Sequence, residues 1–328
     1  MSALLVVPAA VLFLAQQPSA RHGAAPEAQK AAPLEALRNG LAIQVALDRA
    51  GFSSGVIDGR AGANTRRAMD AYKQQKNADI APEAAPLVDY QITAADAAGP
   101  FIENIPSDLM EQSKLPALGY RSILEMLAER FHTTPEFLRT LNPSATFAAD
   151  TTIQVPNVEP LVVPAPAANE ATPTGTSGRE TGSVTTPKSD KADVIVQVSK
   201  ASSSLTVTDA SGAIVFFAPV TTGSEHDPLP IGEWKVNGVQ MNPTFKYNPA
   251  LFWDANPQHS KATVPAGPNS PVGLVWIDIS KEHFGLHGAP EPSQIGRTES
   301  HGCVRLTNWD AVRVAALVKP GTRVIFTE

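Results

Sequence analysis

The order of apolar and polar positions divides the chain into segments of different period. In residues 34–78, Leu37, Leu41, Val45 and Leu47 recur at roughly helical spacing. The glycine-rich run 51–62 breaks that pattern, and a second helix, capped by Asn64 or Thr65, resumes it through Ala68, Met69, Ala71 and Tyr72. This predicts a small helical unit. Residues 87–157 predict an α+β unit, with helical spacing in Ile123, Leu124, Leu127, Ala128 and Phe131 and again in Phe137, Leu138 and Leu141. Thr134 followed by Pro135 is a favoured helix start, and the short apolar run 152–155 before Pro156 reads as a strand.

Residues 158–191 repeat Pro, Ala, Thr, Gly and Ser and carry almost no large apolar side chain after Val163, which predicts a flexible linker. Such a tether would let the following domain reach for sites on a fixed polymer. From residue 192 to 328 the period becomes that of strands, at 194–198, 205–207, 214–221, 236–239, 272–279 and 322–326. One convincing helix, 309–318, starts from Thr307 or Asn308. The fold expected for this part is all-β and sandwich-like, so the whole chain is read as multidomain.

Composition narrows the setting. The formal net charge is -6 and no dense Lys/Arg cluster occurs, which excludes a nucleic-acid footprint and a polybasic membrane anchor. Residues 3–15 are an apolar run too short to span a bilayer comfortably, broken by Pro8 and followed by Pro18-Ser19-Ala20. Residues 1–20 are therefore read as a secretory signal, with no membrane span unless that segment is retained, and the chain is placed in the periplasm or cell envelope. Exported chains usually carry cysteines in pairs, yet this one has a single cysteine, Cys303. A lone exported thiol is a buried bystander, an intermolecular link or a reactive group, and its neighbours decide.

Those neighbours are Ser300-His301-Gly302-Cys303-Val304-Arg305, with His287-Gly288 upstream. A free cysteine with a pKa of about 8.5 offers little thiolate near neutrality, so nucleophilic chemistry needs a base, and histidine is the usual one. His287 is the expected base, with His301 its rival. Gly302 permits a tight turn that would free its own amide and that of Cys303 for an oxyanion. His283, His287, His301 and Cys303 are also zinc-type ligands, but neither a Cys-x-x-Cys nor a His-Glu-x-x-His element is present, so no metal is expected. Tyr247 is the aromatic residue assigned to a substrate groove, and His226 and His259 are expected at the surface.

The strings His287-Gly288 and Ser300-His301-Gly302-Cys303-Val304-Arg305-Leu306, with Thr222-Gly223 and Leu229-Pro230-Ile231-Gly232 upstream, closely resemble the L,D-transpeptidase (YkuD) catalytic domain. Leu229 stands where that family usually has threonine. The helical unit, with Gln44, Leu47, Gly51-Phe52, Ile57-Asp58-Gly59, Gly62 and Thr65, resembles a peptidoglycan-binding domain. The unit at 87–157 resembles a degenerate LysM module with about twenty-five residues inserted after Tyr90-Gln91-Ile92.

The resemblance implies that Cys303 attacks the carbonyl of the third residue of a peptidoglycan stem peptide. His287 takes the thiol proton, the Gly288 carbonyl orients the imidazole, and the Gly302 and Cys303 amides form the oxyanion hole. It further implies that Ser300 and His301 support the loop, with Ser300 beside the substrate, and that Arg305 holds the hole or a substrate carboxylate. D-Alanine would leave and an amine acceptor, a neighbouring stem or an outer-membrane protein, would resolve the thioester. No cofactor is implied. Two rival readings stand beside this one: a carboxypeptidase or hydrolase using water, and a wall-binding protein without catalysis.

Overall fold

The computed structural model describes residues 26–163 and 191–328. The signal reading of residues 1–20 and most of the linker fall outside them. From Ala36 to Glu328 the described chain forms one unit by its contacts. No helix among the described residues is long and apolar enough to cross a membrane.

Two helices, α1 (Pro26–Arg49) and α2 (Ala63–Lys76), flank the glycine-rich turn. The cap of α2 differs from expectation: it is Gly62, without a side-chain cap bond. Thr65 is buried and accepts from Gln44 Nε2 at 3.2 Å, while Asn64 Nδ2 donates to Ile295 O at 2.9 Å. The acceptor oxygens that could cap are taken by other side chains, Asn64 Oδ1 by Arg67 Nη1 at 2.7 Å and Thr65 Oγ1 by Gln44, so neither is left for the local cap.

The next unit runs β1 (Leu87–Gln91), α3 (Ala94–Ala98), α4 (Leu109–Gln112), α5 (Ile123–Arg130), α6 (Pro135–Leu141) and β2 (Thr152–Pro156). Strands β1 and β2 pair antiparallel, and Thr134 caps α6 through Phe137 N as its sequence predicts. Leu41 and Val45 of α1 share a core with Leu127, Phe131 and Leu138, so the helical unit and the α+β unit are packed as one.

The C-terminal part contains β3 (Val194–Ser199), β4 (Ser204–Asp209), β5 (Ile214–Pro219), β6 (Gly232–Met241), β7 (Phe245–Tyr247), β8 (Ala262–Val264), β9 (Val275–Ile279), β10 (Gly285–His287), β11 (Val304–Arg305), α7 (Asn308–Leu317) and β12 (Arg323–Thr327). Eight strands make one mixed sheet in the order β11-β10-β9-β6-β12-β3-β4-β5, and β7 with β8 forms a separate hairpin. The expected sandwich of two sheets is thus replaced by one curled sheet. Its two ends meet, because Thr221, just past β5, bridges Arg305 of β11. Curling buries the inner face around α7, where Trp309, Ala311 and Val314 are inaccessible, and leaves no open edge at the closing seam. Thr307 caps α7 by accepting from Asp310 N.

Among the described residues the C-terminal part packs against the preceding units. Val158 and Leu161, at the start of the expected linker, are buried in two different cores. Residues 51–53 extend the sheet beyond β5, with Phe217 N donating to Gly51 O and Ser53 N donating to Phe217 O. Asp48 of α1, wholly buried, receives two hydrogen bonds from Arg313 of α7, at 3.0 and 2.8 Å, and faces His132 Nδ1 at 3.0 Å. Burial alone would raise the Asp48 carboxyl, but His132 and Arg313 outweigh it and hold the group well below the usual carboxylate range. His132 also stacks on Trp309 with ring centroids 5.1 Å apart. Polar groups so fully desolvated and paired weld the two halves in one arrangement.

Candidate active site

Three neighbouring strands assemble the site. Strand β10 lies between β9, to which it is antiparallel, and β11, to which it is parallel. The register sets His287 beside Trp276 on one side and Arg305 on the other, and Leu286 beside Val304. Cys303, immediately before β11, therefore arrives next to the histidine strand. The loop 300–303 is held from its far side as well, by Ser300 N donating to Thr222 O and Ser224 N donating to Ser300 O.

His287 is buried and stacked on Trp276, with centroids 5.5 Å apart. Its Nδ1 lies 2.6 Å from Gly288 O. A carbonyl can only accept, so Nδ1 carries the proton and Nε2 of the neutral ring is left as the basic nitrogen. Burial, and then the charge of Arg305, lower the imidazole to about 3 despite the opposing bond to Gly288. The thiol of Cys303 is pushed up by burial, with the Gly285 amide and Arg305 working against that shift. The resting pair is thus a neutral imidazole and a neutral thiol, and charge appears only as the proton moves.

Cys303 Sγ lies 3.7 Å from His283 O. Gly302 has φ +101, and a Cβ there would come within 2.6 Å of the Phe284 ring, so the turn before the cysteine demands glycine twice over. Among the described residues neither the Gly302 nor the Cys303 amide donates a hydrogen bond. Arg305 has a buried Nε without a partner, on the same side as the thiol it influences.

Tyr247 and His259 take other places than the sequence reading gave them, and Ser300 fills the bracing half of its role alone. Ser300 is buried and donates to Cys303 O at 2.6 Å, so it braces the turn and offers no surface to a substrate. Tyr247 is also buried, packed with Leu118 and Val264, and its hydroxyl lies 3.0 Å from His259 Nδ1. It is core of the β7–β8 hairpin rather than groove lining. His259, expected at the surface, is bound on its other nitrogen by Asp108 at 3.0 Å. His301 Nε2 lies 2.9 Å from Asp254 Oδ1, and its ring meets Phe252 edge-on. His301 thereby acts as a strut between the cysteine loop and the segment following β7.

Sequence reasoning missed the Gly285 amide and Asp254, and offered Trp276 only as one of several groove or core aromatics. The alternation of β9, with Val275, Ile277 and Ile279 inside, put Trp276 on the opposite face, but only the register shows that it meets His287. Among the described residues no group of three or more His, Cys, Asp or Glu is placed to hold a metal ion.

Residues 193–326 match the family model of the L,D-transpeptidase catalytic domain. The protein YkuD of Bacillus licheniformis, whose name assigns it to the L,D-transpeptidases, is 45% identical over 60 residues, which are 18% of this chain and 36% of that protein. YbiS of Escherichia coli K12, named for the same activity, is 34% identical over 119 residues, 35% of this chain and 38% of that protein. A solved L,D-transpeptidase from Mycobacterium smegmatis aligns at a TM-score of 0.35 and 20% identity, over 42% of this chain and 59% of that one. The chain spans little more than a third of the length of these two curated relatives.

Proposed function

We propose that the protein is a cell-wall L,D-transpeptidase with Cys303 as nucleophile and His287 as base. The observation that carries this reading is the tautomer fixed by Gly288 O, which leaves a neutral, buried Nε2 on the strand next to the cysteine. The thiol proton passes to His287 as sulfur bonds to the carbonyl carbon of the third stem residue. The oxyanion is met by the amides of Gly302 and Cys303, with Arg305 adding positive charge. The intermediate collapses by breaking the C–N bond, and the imidazolium returns its proton to the departing D-alanine.

An acceptor amine then adds to the thioester, gives a proton to His287 and expels the sulfur, which is reprotonated. A diamino acid side chain of a neighbouring stem is the acceptor in this reading, giving a 3→3 cross-link in the periplasm after export. The units at 34–78 and 87–157 serve as a peptidoglycan-binding domain and a LysM-like glycan-binding module. Their support is the β1-α3-α4-α5-α6-β2 order with its antiparallel strand pair, and a groove of about 360 Å³. The groove is bordered by Arg60, Asn64, Thr140 and Arg297.

Product analysis tests the acceptor. With a tetrapeptide stem supplied as both donor and acceptor, the expected main product is the cross-linked dimer, accompanied by free D-alanine. Tripeptide and D-alanine without dimer would replace this reading with a carboxypeptidase. Coupling only to lysine side chains of a protein would replace the stem acceptor with a protein one.

A further inference from the structure

A carboxyl from the first half of the chain reaches the first residue of α7, beside the catalytic strand. Glu129, at the end of α5, is buried, and its Oε1 accepts from Asn308 Nδ2 at 2.7 Å. Asn308 opens α7, is itself fully buried, and also donates to Pro268 O at 3.1 Å. Its other amide atom, Oδ1, accepts from Leu274 N at 2.9 Å. With both ends of the amide fixed, the side chain has one orientation and no freedom to flip.

That amide is wedged between two glycines. A Cβ on Gly273 or on Gly288 would fall 2.1 Å from Asn308 Oδ1, so both backbones approach it as only glycine permits. Gly288 N donates to Val275 O at 3.2 Å, while Gly288 O takes the His287 Nδ1 proton at 2.6 Å. The peptide that orients the base is therefore packed directly against the group that Glu129 holds.

We infer that Glu129 is a positioning residue for the catalytic base, acting through Asn308 on the Gly288 peptide, so that the preceding unit completes the active site of the domain at 193–326. The inference rests on the reading of His287 as base. Truncating Glu129 leaves Asn308 Nδ2 with only Pro268 O, and loosens the wedge that sets the Gly288 carbonyl. A sub-ångström shift there turns the imidazole, which costs the chemical step far more than substrate binding. Around the carboxyl, Tyr120 lies near without a well-aligned hydrogen bond, and Glu125 is the further charge acting on it. Burial, only partly offset by Tyr120 and Asn308 and reinforced by Glu125, pushes Glu129 up to about 7. An uncharged Glu129 keeps its acceptor oxygen, so a glutamine can hold Asn308 in the same way.

The test measures single-turnover acylation of Cys303 in the full chain by intact mass, together with the His287 ring-proton resonance. Glu129→Ala is expected to slow acylation about tenfold to a hundredfold, to change KM for the donor less than about twofold, and to move the Nδ1 proton signal. Glu129→Gln is expected to restore the rate to within about threefold of wild type, with the signal in place. Glu129→Asp, one methylene shorter, serves if the alanine variant does not fold, and is expected to lose about fivefold or more. Wild-type acylation and an unmoved signal in folded Glu129→Ala or Glu129→Asp would overturn the inference. So would a glutamine variant as slow as alanine. Wild-type protein that forms no thioester at all would instead overturn the nucleophile assignment, so the two failures are distinguishable.

Discussion

Replacing His287 with alanine lowers the rate of thioester formation at Cys303 by about a thousandfold, within the range that loss of a positioned general base produces. The variant still folds, because the imidazole is neutral and Trp276 keeps the strand register through its backbone. The pH profile tests whether the imidazole rests neutral. With His287 at about 3 and the Cys303 thiol raised, neither group titrates across the neutral range. The acylation constant, measured as kcat/KM for a non-titrating donor, is therefore expected to be flat between about pH 5 and 8. A decline below about pH 6.5, with the slope of one proton, would show that the histidine has its ordinary pKa. That result would contradict a buried imidazole beside Arg305.

The second large effect is on stability. Asp48→Asn removes the charge that pairs with Arg313 and faces His132, leaving a largely desolvated guanidinium without its carboxylate. Breaking one side of such a pair costs about 3–5 kcal/mol, which corresponds to a fall in Tm of roughly 10 °C. The sign with pH follows from the direction of the shift. Asp48 is held below its unfolded value, so its contribution is present above about pH 4 and is lost as the solution is acidified through the folded pKa. The difference in Tm between wild type and variant is accordingly expected to be largest near neutrality and to narrow in acid. Calorimetry checks both statements, and a variant that melts within about a degree of wild type at pH 7 would mean that the two halves are not held by this cluster.

Where the sequence was legible, the determining chemistry is local. Thr134 before Pro135 and Thr307 before α7 cap helices through side chains three residues from their targets, and both do so here. The strings around His287 and Cys303 carry their own turn and base chemistry, and the strands bring them side by side. Asn64 and Thr65 looked like caps by the same local rule, but Arg67 takes the Asn64 oxygen and Gln44 of α1 takes that of Thr65. The curled sheet was not legible, because its central neighbours, β12 with β3 and β6, join residues more than eighty positions apart. Tyr247 and His259 were misplaced for a related reason. The segment inserted after β1 supplies Asp108 and Leu118, which cover both residues, and a strand-by-strand reading of the last domain contains no trace of it. Glu129 was likewise invisible, since its meaning depends on Asn308, 179 positions away.

The most direct test of the central claim is intact-protein mass spectrometry of the full chain after a brief incubation with a tetrapeptide stem, with Cys303→Ala as control. A covalent adduct equal to the donor minus D-alanine is expected on the wild-type protein, mapped to Cys303, and none on the variant. A folded wild-type protein that gains no adduct and releases no D-alanine, or a Cys303→Ala variant that carries the adduct, would contradict that claim.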